Sequence, residues 1–323
     1  MIIIPVLYLI VGFVLLVKGA DFFVEGASSI AKRMHIPTIV IGLTIVAFGT
    51  SAPELAVSLS AAIKGSNDIA IGNVVGSNIF NLLIVIGVSA MISPLTVKRS
   101  MIKKDYPLSI FAAVLLGVLC LDSVLFHAKE TTLGRMDGVI LLVCFVFFMY
   151  ITVREGLRGR KDAKKEHEDE VENMSFPIGK SIVLLVVGLA GIVFGGDLSV
   201  EGAKEIARAF GLSEALIGLT IVAIGTSLPE LVTSIVAAKK GESDIALGNV
   251  VGSNLFNIFF ILGCSATILP MHVSGTYIYD IGLLIIVSVL AFIPIAKSKK
   301  VGRVMGGVMT LAYVAYTVYL IMR

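Results

Sequence analysis

Residues Gly42 to Leu55 read GLTIVAFGTSAPEL, and residues Gly218 to Leu231 read GLTIVAIGTSLPEL. Each copy sets a glutamate, Glu54 or Glu230, inside an apolar run. An ionised carboxylate in hydrocarbon costs on the order of several kcal/mol unless a cation compensates it, so an acid in such a run marks a functional site. Ahead of each glutamate stands Gly-Thr-Ser-x-Pro: Gly49, Thr50, Ser51 and Pro53, then Gly225, Thr226, Ser227 and Pro229. Proline removes a backbone donor and clashes with the preceding turn, which loosens carbonyls about one turn upstream, near Ala47 and Ala223. Loosened carbonyls, hydroxyls and a carboxylate at one depth are the makings of a site for a hard cation.

The repetition extends well beyond these stretches. A shift of 176 positions, the one that carries Gly42 onto Gly218, also lays VKGADFFVEGASSIA (Val17 to Ala31) on VFGGDLSVEGAKEIA (Val193 to Ala207). The same shift lays GNVVGSNIFN (Gly72 to Asn81) on GNVVGSNLFN (Gly248 to Asn257). GRMDGV from Gly134 and GRVMGGV from Gly302 are weaker echoes near the end of each half. A chain with such self-similarity is read as two homologous units before anything else.

With 57% hydrophobic and 15% charged residues and a mean hydropathy of +0.98, the 323-residue chain is too apolar for a soluble domain and is expected to be an integral membrane protein. The opening run Ile2 to Val17 has neither a basic lead nor a small-residue cleavage pattern, and is taken as part of a first span. Cys120, Cys144 and Cys264 fall inside apolar runs, which argues for buried thiols and against a disulfide framework. No dinucleotide-binding or phosphate-cradling glycine pattern is present, and neither is HExxH or a protease aspartate motif, so an enzyme, a cofactor and a nucleic-acid partner are not expected.

Apolar runs place spans at 2–30, 37–62, 68–93, 105–122 and 135–153, then 177–207, 213–238, 244–270, 277–296 and 303–321. The fold class expected is therefore an all-α membrane protein of ten transmembrane helices, built as a five-helix repeat over 1–153 and a second over 177–323. Between them, residues 154–176 carry dense charge of both signs and read as a solvated cytoplasmic linker. Lysine and arginine collect in alternate loops, among them Lys32, Arg33, Lys103, Lys104, Arg154, Lys239, Lys240 and Lys300. The positive-inside rule puts those loops in the cytoplasm of a cell membrane and both termini outside. An odd number of spans per half then inverts the second half relative to the first, the arrangement of transporters with a midplane site between the halves.

Inversion brings Glu54 and Glu230 together across a twofold axis in the membrane plane. GSNIFN puts Ser77 and Asn81 on one helical face, and GSNLFN does the same for Ser253 and Asn257. Glycines 72, 76, 248 and 252 beside them allow close helix approach. The candidate ligands are all oxygens: Glu54, Glu230, Thr50, Ser51, Thr226, Ser227, Ser77, Ser253, Asn81, Asn257 and the carbonyls of Ala47 and Ala223. Calcium takes about six to eight oxygens, and no nitrogen or sulfur is offered here. The competing reading of the hydroxyls and amides is interhelical hydrogen bonding without a ligand role.

GTSxPE followed by GNxxGSNxFN, in both halves, resembles the α-repeats of the calcium/cation antiporter superfamily, and its sodium/calcium exchangers in particular. The resemblance implies exchange of sodium for calcium by alternating access, with Glu54 and Glu230 holding calcium and sodium in turn. It gives Thr50, Ser51, Ser77, Thr226, Ser227, Ser253 and the carbonyls of Ala47 and Ala223 the completion of both shells. Potassium-dependent members have an aspartate where this chain has Asn257, so the amide argues against potassium co-transport. Proton/calcium antiport is the alternative, because a glutamate carries protons as well as metal. Calcium, sodium and the lipid bilayer are the expected partners, with no protein partner evident.

Asp21 and Glu25 near the end of the first span, and Asp197 and Glu201 at the equivalent places in the second half, have two readings. They form acidic mouths on opposite faces, or they are solvated helix ends paired with a lysine such as Lys18 or Lys204.

Overall fold

The computed structural model describes residues 3–65, 67–121, 131–163, 176–211 and 223–322. Its helices are α1 (Ile3–Arg33), α2 in two arms (Thr38–Thr50 and Ala52–Ile63), α3 (67–92), α4 (101–119) and α5 (Arg135–Ala163). The second half supplies α6 (Ile178–Ala209), α7 (Ala223–Thr226 and Leu228–Lys239), α8 (Ser243–Ile268), α9 (Gly275–Ser298) and α10 (Arg303–Met322). Six of these are individually long and apolar enough to cross a membrane, and the bent α2 makes a seventh. The expected start of the seventh span, at 213–222, and most of the linker, at 164–175, lie outside the described residues. Where the linker was expected to begin, α5 instead runs on to Ala163. The stretch Arg154 to Ala163 consists largely of good helix formers, so charge alone does not stop the helix.

Among the described residues, four strands of two residues each accompany the helices: β1 (Leu95–Thr96), β2 (Thr132–Leu133), β3 (Met271–His272) and β4 (Lys300–Val301). β1 pairs with β4 and β2 with β3, both antiparallel. Each ladder therefore joins a loop of one half to a loop of the other.

The direction of the halves is read from α1 and α6, which are copies of one another and pack mainly on each other. A Cβ at Gly12 would meet Ser199, one at Gly19 would meet Gly188 and Ile192, and one at Gly26 would meet Ser181 and Leu185. Positions rise along α1 as they fall along α6, so two equivalent helices run antiparallel, as inverted repeats require. At Gly19 and Gly188 the added carbon would meet only backbone, at 2.4 to 2.8 Å, and at Gly12 it would meet the Ser199 hydroxyl as well as backbone atoms at 2.6 and 2.9 Å. In membranes, where burial of apolar surface drives no association, such small-residue stripes are how helices gain packing. Across the halves, Gly248 and Gly252 let α8 approach Gly42 and Leu43 of α2, whereas Gly72 meets the ring of Tyr277.

The cysteines are free, with Cys120 buried and Cys144 and Cys264 only partly so.

Neighbouring glycines of α6 give a test of this packing. Gly195→Ala drives its methyl to 2.6 Å from the Leu16 amide nitrogen, and is expected to lower stability by about 1–3 kcal/mol. Gly196→Ala places its methyl 3.7 Å from Pro229, at a position where the first half already has Ala20, and is expected to be tolerated. Thermal melting followed by size-exclusion chromatography in detergent compares the two; equal melting temperatures would contradict the packing.

Candidate functional site

The glutamates owe their depth to the break in each motif helix. The arms of α2 meet at Ser51 with a bend of 51°, and Pro53 occupies the first turn of the second arm, where a missing N–H costs nothing. Glu54 follows in that turn, at the positive end of the helix dipole. Ser227, Pro229 and Glu230 repeat the arrangement at the start of Leu228–Lys239. Both carboxylates are fully buried. A π-helical turn over Gly42–Val46 precedes the first break, and another, Asn81–Val85, follows the polar stretch of α3. Such bulges recur at functional sites because they displace backbone groups from the regular ladder.

Ser51-x-x-Glu54 and Ser227-x-x-Glu230 have the spacing of a capping box, in which the serine would bond its own helix. Neither serine does so. Ser51 Oγ donates to Glu230 Oε1 at 2.8 Å, and Ser227 Oγ donates to Glu54 Oε1 at 3.1 Å. Each half thus supplies the hydroxyl that holds the other half's carboxylate. Ser77 and Ser253 add contacts to the same Oε1 atoms at 3.5 and 3.3 Å. The other carboxylate oxygen, Oε2, has no hydrogen-bond donor in either glutamate.

A second reciprocal pair lies between α3 and α8. Asn78 Nδ2 donates to the Asn254 carbonyl at 3.2 Å, and Asn254 Nδ2 to the Asn78 carbonyl at 3.3 Å. With their amide nitrogens so committed, their Oδ1 atoms face Asn81 and Asn257, which donate to them at 3.2 and 3.0 Å. That in turn fixes the amides of Asn81 and Asn257 with Oδ1 pointing away, and both of these oxygens are buried without a donor. A buried acceptor left without a partner loses its hydration for nothing in return. Four such oxygens, two anionic and two neutral, belong to the motif acids and amides and are related in pairs by the repeat; the buried hydroxyls of Ser89, Thr233 and Ser265 also lack a partner.

The remaining expected ligands fall around this set. Thr50 Oγ1 donates to Asn249 Oδ1 at 2.9 Å and lies 3.3 Å from the Ala47 carbonyl, which also accepts the Ser51 N–H at 3.0 Å. Proline therefore leaves Ala47 its backbone bond, contrary to the expectation of a freed carbonyl. Thr226 Oγ1 makes the equivalent bond to Asn73 Oδ1, longer at 3.4 Å. Ala223 opens the described part of α7, and the stretch before it lies outside the described residues. Asn73 and Asn249 were not among the expected residues, although both stand in the repeated GNVVGSN. Asn73 Nδ2 holds the Glu54 carbonyl at 3.3 Å and Ser58 at 2.9 Å; Asn249 holds the Glu230 carbonyl and Ser234 at the same two distances. Their exact repetition with Ser58 and Ser234 was the available signal.

Among the described residues no group of three or more His, Cys, Asp or Glu gathers to hold a metal. An apolar crevice of about 300 Å³ reaches Ala47 from between Phe23, Phe48, Phe145 and Leu189, but offers no side-chain acid.

A family described as "Sodium/calcium exchanger protein" matches residues 4–154 and 180–322. A protein named putative antiporter CaxA, from Alkalimonas amylolytica, is 41% identical over 316 residues, 96% of each chain. Sodium/calcium exchanger MaX1 of Methanosarcina acetivorans is 37% identical over 347 residues, 99% of each chain. A solved structure of the sodium-calcium exchanger NCX_Mj, soaked with 10 mM Na+ and 10 mM Sr2+, matches with a TM-score of 0.84 at 34% identity, covering 98% of this chain and 99% of that one.

The unexpected asparagines are testable on their own. Asn249→Ala removes the donor to the Glu230 carbonyl and the acceptor of Thr50. Leaving buried polar groups unpaired costs about 1–3 kcal/mol, so calcium affinity measured by calorimetry in detergent is expected to fall about tenfold. Unchanged affinity would remove Asn249 from the site.

Proposed function

The chain belongs to the sodium/calcium exchanger family, and from that premise we propose that it exchanges the two ions at the four orphaned oxygens, Glu54 Oε2, Glu230 Oε2, Asn81 Oδ1 and Asn257 Oδ1. Their burial without a donor is the single observation that carries this reading. A cation between them supplies the interaction that each lacks. Hydroxyls of Ser51, Ser77, Ser227 and Ser253 already bond the opposite carboxylate oxygens, so they orient the acids and turn toward a bound ion when one arrives. Thr50, Thr226 and the Ala47 and Ala223 carbonyls extend the oxygen set for further sodium ions.

Two carboxylates balance one calcium or two sodium ions, and the amides add coordination without charge. Competition for the same acids is what makes this an exchanger and not a channel: leaving the site empty strands two negative charges in a low dielectric, so one ion departs as the other arrives. The two five-helix repeats, over 1–153 and 177–323, are proposed to alternate access to this midplane site. Residues 154–176 are proposed to link the repeats in the cytoplasm of a cell membrane, with both termini outside. The basic loops that support this orientation include Lys32, Arg33, Lys239 and Lys240.

Calcium-45 flux into proteoliposomes, against imposed sodium, potassium and pH gradients, tests the exchange. Uptake is expected to follow the sodium gradient with the pH gradient collapsed; uptake that follows pH alone would establish proton/calcium antiport instead. Glu54→Gln and Glu230→Gln are each expected to lower sodium-driven calcium flux at least about 100-fold, since neutralising either acid leaves a divalent ion uncompensated in a low dielectric. Near-normal flux at normal expression in either variant would remove the glutamates from the site.

Exchange of three sodium ions for one calcium moves one net charge per cycle, worth about 2.3 kcal/mol per 100 mV. A potassium diffusion potential is then expected to shift the final calcium ratio, whereas a ratio insensitive to voltage would indicate two sodium ions per calcium. Asn257→Asp adds a buried carboxylate that needs a proton or another cation. The variant is expected to become sensitive to potassium or pH, while the parent exchanges equally in choline and potassium media.

A further inference from the structure

We propose that Lys240 with Asp21 and Glu25, and its repeat-equivalent Lys64 with Asp197 and Glu201, form two mutually exclusive ionic latches on opposite faces of the molecule, the first engaged here and the second open. This rests on the exchange reading above and adds a device that holds each face shut in turn.

Lys240 ends α7 and reaches α1: its Nζ lies 2.7 Å from Asp21 Oδ1 and 3.8 Å from Glu25 Oε2, and donates to the Asp21 carbonyl at 3.1 Å. The 176-position shift carries Asp21 onto Asp197, Glu25 onto Glu201 and Lys64 onto Lys240, so all three charges are duplicated. In the second set the bonds are different. Glu201 pairs within its own helix with Lys204, at 3.2 Å, and among the described residues Lys64 and Asp197 have no ion pair. The difference does not lie in the backbone of the turns. Lys64 has φ −82°, ψ −1° and Lys240 φ −78°, ψ 0°, and each is followed by a glycine of positive φ, Gly65 at 74° and Gly241 at 77°. The same turn with the same charges is joined to the long helix on one face and not on the other.

The inner cluster follows the same division. Asn249, near the start of α8, bonds Thr50 of α2 at 2.9 Å, while its equivalent Asn73 of α3 lies 3.4 Å from Thr226 of α7. The helix that follows the engaged Lys240 turn is also the one that makes the tighter polar contact. Inverted halves convert this asymmetry into a cycle, because exchanging the roles of the halves engages the second latch and releases the first. The engaged pair is partly exposed, with side chains 31% and 39% accessible, so it is weak enough to break in every turnover.

The sequence weights the two latches unequally. Glu242 adds a second tie on the engaged face, accepting from Ser28 at 2.5 Å and Lys32 at 3.2 Å. In the sequence its equivalent is the uncharged Ser66, while Lys204 and Arg208 are the equivalents of Ser28 and Lys32. The resting protein is therefore biased toward the state closed at the α7–α8 turn and accessible from the α2–α3 face.

Oriented proteoliposomes test this through the half-saturating calcium concentration at each face. Lys240→Gln is expected to lower it about two- to fivefold at the α7–α8 face and to raise it at the other, the size of one exposed ion pair. Lys64→Gln is expected to do the reverse. The final calcium ratio should not change in either variant, since a latch shifts populations and not the driving force. Changes in the same direction at both faces, or none, would overturn the proposal. As a second measurement, with Cys120, Cys144 and Cys264 replaced by alanine, the pair Asp21→Cys with Lys240→Cys is oxidised, and separately the pair Lys64→Cys with Asp197→Cys. The first is expected to cross-link at rest and the second faster during turnover, and each bridge should stop exchange until reductant is added. A second pair that never cross-links, or a bridge that leaves exchange running, would equally overturn the latches. Absence of sodium-driven exchange in the unmodified protein would refute the exchange reading itself.

Discussion

Everything in this molecule defers to the problem of keeping two carboxylates in hydrocarbon. The solution is reciprocal: the serine beside each glutamate donates not to its own helix but to the glutamate of the other half, Ser51 to Glu230 and Ser227 to Glu54. A cap within one helix would have satisfied an amide and left the acid alone. Bonding across the axis instead orients both acids with Oε1 held and Oε2 free. The helix breaks at Ser51 and Ser227, the prolines after them and the dipole ends facing the site all serve that placement.

The same logic explains why the neighbouring asparagines come in threes. Asn78 and Asn254 bind backbone across the seam, Asn81 and Asn257 bind those asparagines, and Asn73 and Asn249 brace the carbonyl of each glutamate. Only Asn81 and Asn257 end with an oxygen to spare. An amide network is therefore two things at once here. It is the glue between helices, and by exhausting its donors it leaves two buried acceptors without a partner.

Much of this was legible beforehand. The duplicated acids, the inversion and most helix limits follow from repetition, hydropathy and basic loops, because those are the constraints that lipid imposes on every span. What could not be read was which donor goes to which acceptor. The spacing Ser-x-x-Glu predicts a local cap, and tertiary contact overrides it. Asn73 looked like one letter of a motif, and its role depends on a carbonyl that only the folded α2 presents. The linker was expected to start where charge begins at Arg154, yet helix propensity carries α5 on to Ala163. The acids Asp21 and Glu201 do find lysines, but Asp21 finds one from the far half, which no reading along the chain could indicate.

The glycine stripes of α1 and α6 bear on how such a chain can diverge. After a duplication, two copies drift apart wherever each faces lipid or its own half. Gly12, Gly19 and Gly26 face the opposite copy of the helix they belong to, and so do Gly188, Gly195 and Gly202. An enlargement in either copy collides with the backbone of the other, so neither is released from constraint by the existence of its twin. Along α1 and α6 the glycines at this contact are the same in both halves, Gly12 with Gly188, Gly19 with Gly195 and Gly26 with Gly202, and there the duplication stays legible because its copies are one another's neighbours.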